Sequence, residues 1–160
     1  IKTNTIQTFH VEFSKKIKGI FHYYYQEYNK DVLQGLSGYG IIKSHIAVAD
    51  LTYKIKSKHT IRMELQTLLT EQDKGDWGMA LLEYSILPHW FFTVFDMYYF
   101  GNHDPAKRIH YYSGNFAYSR KGTRIQIGYG RVWEGIICVG GVCRNVPASN
   151  GFSINITSSF

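Results

Sequence analysis

The sharpest chemical spacing in the sequence is Cys138-Val139-Gly140-Gly141-Val142-Cys143. Gly-Gly is a two-residue hairpin turn, which pairs Val139 with Val142 and sets Cys138 opposite Cys143. The pair beyond such a turn is non-hydrogen-bonded, with Cα atoms about 4.5–5.5 Å apart and so within disulfide range. A cross-strand disulfide is expected, in keeping with an oxidising compartment. Two cysteines are too few for a zinc site, and no histidine spacing accompanies them.

A second set is Arg62, Glu64, Gln66, Glu83, Arg124 and Gln126, each on the polar side of an alternating segment. Such residues either tune the ion selectivity of a wet lumen or pair with one another. Pairing of Arg62 and Arg124 with Glu64 and Glu83, which would hold a narrow barrel rigid, is the commoner arrangement. His103-Asp104, His110 and several serines are residue types that catalyse, but no nucleophile stands at a recognisable spacing from a base. The sequence therefore reads as non-enzymatic and without a cofactor.

These residues need a scaffold, and composition narrows it. The 160 residues make one domain, 16% aromatic, with 13 Tyr, 10 Phe and only 3 Pro. Tyr favours strands and membrane–water interfaces, where its ring is apolar and its hydroxyl wet. The mean hydropathy is −0.23, and no apolar run approaches the ~18 residues of a transmembrane helix. A helical membrane protein is excluded, whereas a barrel, whose strands are apolar on one face only, is not. The formal charge of +6 raises nucleic acid as a partner, but no basic helix, RNP-like aromatic pattern or zinc spacing accompanies it.

Alternation of period two recurs along the chain and predicts roughly nine strands. They cover Thr3–Ser14, Ile17–Tyr28, Ile46–Lys54, His59–Thr70, Trp77–Ser85, Trp90–Phe100, Arg108–Ser119, Arg124–Glu134 and the closing Gly151–Phe160. No segment reads as a helix, and Asn29–Gly40 reads as a long loop. Within Trp90–Phe100, Thr93 and Asp96 demand opposite faces, which a bulge would reconcile. Arg120-Lys121-Gly122-Thr123 is a tight hairpin turn.

The pattern predicts an all-β, antiparallel up-and-down transmembrane β-barrel. A soluble β-barrel that binds an apolar ligand is the alternative, and would carry charge at mid-strand on its outer face. Here the polar face holds small residues such as Ser113, Asn115, Gly128, Gly130, Ser153 and Asn155. Cations cluster at the short turns: Lys15, Lys16 and Lys18; Lys54, Lys56 and Lys58; Arg120, Lys121 and Arg124. They read as interfacial charge, with a docking collar for an acidic periplasmic partner as the second reading.

Short turns belong on the periplasmic side of an outer-membrane barrel and long loops outside. Phe160, an aromatic terminus to the last strand, then lies at the periplasmic edge, and Cys138–Cys143 staples an external loop tip. Nine strands are odd, whereas bacterial barrels are even. The chain, which starts at Ile1 with no visible signal peptide, is thus expected to be the C-terminal portion of a longer barrel. Eight strands closing alone is the other possibility.

Met63–Ser85, His89–Asp96 and Ser119–Gly130 resemble the C-terminal half of an uncharacterised Bacteroidota outer-membrane β-barrel family, over about Ala47 to Phe160. Members of that family are longer than this chain, which agrees with a C-terminal portion. The resemblance implies a bacterial outer-membrane location and no known enzymatic activity. The expected role is a channel, or a scaffold subunit of an outer-membrane assembly. The expected partners are membrane lipid and lipopolysaccharide, with other outer-membrane or periplasmic subunits beside them and no nucleic acid.

Overall fold

Each alternating segment becomes a strand, and each strand pairs with the next in sequence. The structure is a computed structural model that describes residues 3–159 except 36, 39, 71–74, 103 and 140. Phe160 therefore lies outside the described residues. Nine strands form one antiparallel sheet: β1 (Thr3–Ser14), β2 (Ile17–Asn29), β3 (Ile41–Lys56), β4 (His59–Leu69), β5 (Trp77–Ile86), β6 (Trp90–Tyr98), β7 (His110–Arg120), β8 (Thr123–Val132) and β11 (Ser149–Ser158). A separate two-stranded ribbon, β9 (Gly135–Val139) and β10 (Val142–Val146), interrupts the meander between β8 and β11.

Short turns join β1 to β2, β3 to β4, β5 to β6 and β7 to β8 at one end of the sheet; longer connections occupy the other end. In the β7–β8 turn, Lys121 and Gly122 both have positive φ, 47° and 76°. That is the type I′ geometry whose twist matches the strands it joins, and glycine accepts it without strain.

The segment expected to be a loop, Asn29–Gly40, contains a helix of one turn and a half, α1 (Lys30–Gln34). Asn29 caps it, its Oδ1 accepting from Val32 N at 3.2 Å, and Gly35 ends it with φ of 65°. β3 also starts five residues earlier than its expected Ile46, because β2 is long enough to pair Asn29 with Ile41. No bulge forms in β6, which pairs in unbroken register with β5 and β7. Thr93 faces inward, and Asp96 faces outward near the long-loop end, where its Oδ2 lies 2.8 Å from Nδ1 of His110. The irregularities fall instead beside the short turns, at Glu12/Ser14 and Lys54/Lys56.

Burial separates the two faces in an unusual sense. One face is polar and sheltered: Ser44, Glu83, Ser85, Thr93, Ser113 and Gln126 are all buried. The opposite face is apolar and open, with Leu82 47%, Val94 54%, Ile127 46% and Ile154 70% exposed. One face of a single sheet is sheltered in this way when the sheet curls, and the polar face is the inner one.

The curl stops short of closure. Among the described residues β1 pairs only with β2, and β11 only with β8, so the sheet has two free edges and is not a closed barrel. In a meander of nine strands the first and last run the same way, so β1 and β11 could meet only in parallel.

Candidate functional site

The inner face is the place where polar chemistry gathers. Period two directs Asp50 and Thr52 of β3, Arg62, Glu64 and Gln66 of β4, and Glu83 and Ser85 of β5 to this side, in register across the three strands. Arg62 sits among carboxylates. Its Nε donates to Asp50 Oδ2 at 2.7 Å, and its Nη2 reaches both Asp50, at 2.6 Å, and Glu64. Gln66 Nε2 donates to the other oxygen of Glu64. Glu83 lies directly across from Arg62 and accepts from Thr93 Oγ1 of β6 at 3.1 Å and from Ser85 Oγ at 3.4 Å. Hydrogen bonds to charged groups are worth about 1.5–3 kcal/mol each; these tie β3 to β4 and β5 to β6, with Glu83 across the register from Arg62 between the two pairs.

Further round the sheet the inner face becomes smaller and neutral. Gln126 of β8 donates to Asn115 Oδ1 at 3.2 Å, and Asn115 donates to Ser113 Oγ at 2.8 Å. Gly128 lies between Asn115 and Ser153, and a Cβ there would collide with both side chains. A side chain at that point would have to displace the ends of Asn115 and Ser153.

All six residues singled out from sequence, Arg62, Glu64, Gln66, Glu83, Arg124 and Gln126, lie on this one face. They do not form one group. The first four share the cluster on β4 and β5, while Arg124 and Gln126 stand on β8. Arg124 donates to Ser119 Oγ at 3.1 Å and to the carbonyl of Val139 at 2.6 Å, with its guanidinium 5.0 Å from the Phe91 ring centre. The alternation signal that selects the six also places Asp50 in phase with Thr52 and Lys54, yet Asp50, which takes both Nε and Nη2 of Arg62, is not among them.

The two cysteines do form a disulfide, with Cα atoms 4.0 Å apart and Cys138 directly opposite Cys143. Its position differs from the expected outer loop tip. From the long-loop end of β8 the ribbon turns back along the inner face, and Val139, 1% exposed, packs with Phe91 and Ala117 near the short turns. Apolar burial at that spot outweighs solvation of the tip. Of the residue types considered for catalysis, Asp104 instead caps a short 3-10 turn, Pro105–Lys107, by accepting from Ala106 N at 3.0 Å. His110 pairs with Asp96 on the outer face, and His103 lies outside the described residues.

Aromatic side chains mark both ends of the outer face. Tyr53, Tyr84, Trp90 and Tyr118 lie towards the short turns; Tyr23, Tyr25, Tyr98 and Tyr112 lie towards the long loops. Many are anchored: His59 Nδ1 lies 2.7 Å from Tyr84 Oη, His45 Nδ1 lies 2.7 Å from Tyr23 Oη, and Tyr98 stacks on His110 at 4.2 Å.

Fold and site together define an antiparallel β-meander with a cross-tied polar interior and an apolar exterior. The chain belongs to the DUF6029 family, a family of unknown function, whose model it matches over residues 7–160. No curated protein and no solved structure matches it.

Proposed function

We propose that this chain forms the wall of a bacterial outer-membrane β-barrel, acting as a channel or as a scaffold subunit of an outer-membrane assembly. The observation that carries the reading is the inverted sidedness of the sheet: Leu82, Val94, Ile127 and Ile154 open to the surroundings, Glu83, Thr93, Ser113 and Gln126 sheltered within. In water this arrangement exposes the side chains that most favour burial. In a bilayer it puts them against lipid and keeps the mid-strand polar groups Glu83, Thr93, Ser113 and Gln126 inside. The two aromatic belts fit the same placement. The nine-residue β6 runs from one belt to the other, about 27 Å along the strand and about 20 Å along the membrane normal at the usual barrel tilt. The resemblance to Bacteroidota outer-membrane barrels supports the same location.

A soluble barrel holding an apolar ligand needs an apolar interior, whereas here Ser44, Glu83, Ser85, Thr93, Ser113 and Gln126 are buried on the inner face beside Ile42, Phe91, Tyr111 and Ala117. Fully antiparallel closure takes an odd number of further strands between β11 and β1, and on this reading the nine strands are part of a larger barrel. Neither catalysis nor a cofactor enters this reading.

The test is extraction followed by gel migration. The protein is expected to stay with outer membranes until detergent is added, and to migrate differently before and after boiling. Release into buffer without detergent, with one migration position in both conditions, would overturn the proposal.

A further inference from the structure

The ribbon β9–β10 is the one strand pair among the described residues that does not extend the sheet. A connection of this length has room to lie outside the barrel, yet it returns along the inner face almost to the short turns. Two contacts hold it there, and a disulfide within the ribbon stiffens it. Val139 is enclosed by Phe91 of β6 and Ala117 of β7. Its carbonyl accepts from Arg124 Nη2, a side chain itself braced by Ser119 and by the face of Phe91. The disulfide between Cys138 and Cys143 clamps the ribbon next to that contact and keeps its two strands together. Towards the long-loop end a crevice of about 330 Å³ separates β10 from β8 and β11, its wall mixed, with Ser113, Asn145 and Ser153 beside Val132, Val146 and Pro147. The ribbon is therefore fastened at one end and loosely spaced at the other.

We propose that β9–β10 is a plug, latched to the inner wall by Arg124, whose release opens a water-filled path along the polar face. The inference rests on the barrel reading and goes beyond it, because a barrel wall has no need of an apolar tip buried beside its own interior. A constriction made of packed apolar groups excludes ions by excluding water. Val139 packed on Phe91 and Ala117 is the apolar contact that would serve so in the closed barrel, on a face that also holds Thr93, Ser113 and Gln126.

The experiment compares the whole protein with a variant in which residues 135–146 are replaced by a short Gly-Ser linker, and with Arg124→Met, which keeps the stem over Phe91 and removes the donors. Each is inserted into a planar bilayer, and insertion is checked independently by heat-modifiable migration. The ribbon-deleted protein is expected to conduct roughly tenfold more than the whole protein, and Arg124→Met to open intermittently. A deletion variant that inserts yet conducts like the whole protein overturns the plug and leaves the barrel standing; failure of the whole protein to insert overturns the barrel itself. Should the deletion variant not fold, Ala117→Cys with Val139→Cys, in a Cys138→Ser, Cys143→Ser background, takes its place. A cross-link in isolated outer membranes supports the seated ribbon, and its absence overturns it.

Discussion

Thr93 of β6 donates its hydroxyl to Glu83 of β5 across 3.1 Å, at a point where Thr93 is 1% exposed and Glu83 is buried. Removing the donor leaves a sheltered carboxylate short of a partner. Thr93→Val is expected to lower stability by about 1–3 kcal/mol, read as a shift in urea midpoint in detergent or lipid. Thr93→Ser, which keeps the hydroxyl, should stay near the wild type, and equal losses for both would remove the hydrogen bond as the cause.

Arg62 is the counter-charge to Asp50 and Glu64, and its loss leaves carboxylates facing one another across β3 and β4. In a double-mutant cycle, Arg62→Ala combined with Asp50→Asn should cost less than the sum of the two single changes, with a coupling of about 0.5–3 kcal/mol. Additive losses would mean that the pair does not hold the strands together.

The outer face gives a test of surroundings as well as of stability. Leu82 is 47% exposed at the middle of β5. Against lipid, Leu82→Arg should cost about 2–4 kcal/mol in refolding into vesicles. Against water the same change would be nearly neutral, so a loss below the scatter of other surface substitutions would tell against the membrane reading.

The disulfide has a direct signature. Intact protein treated with an alkylating reagent should keep its mass, and should gain two alkyl groups only after reduction under denaturing conditions. Because the bond closes a loop of only a few residues, its loss should cost about 2 kcal/mol, confined to the ribbon.

Much of the sheet was legible in the alternation itself, because strand faces depend on nothing beyond period two. That is why Arg62, Glu64, Gln66, Glu83, Arg124 and Gln126 were placed on a common side. Asp50 was equally legible by phase but did not stand out in a segment whose other polar members are Thr52 and Lys54. The conflict between Thr93 and Asp96 dissolved once His110 became a neighbour, since an outward carboxylate near a strand end is acceptable with a partner. The path of β9–β10 was not legible. A Gly-Gly turn between paired cysteines specifies a ribbon, but its contact with Phe91, Ala117 and Arg124 joins segments far apart in sequence, and no local pattern encodes it.

The free edges of β1 and β11 bear on how the protein reaches its site. Each offers a row of backbone donors and acceptors to any passing strand, and β11 does so beside Phe152, Ile154 and Ile156, all widely exposed. During any aqueous transit such an edge recruits its like into aggregates. The barrel proposed above therefore calls for a chaperone that shields β-strands until insertion, and a shortage of it is expected to show first as protein lost to inclusion or proteolysis.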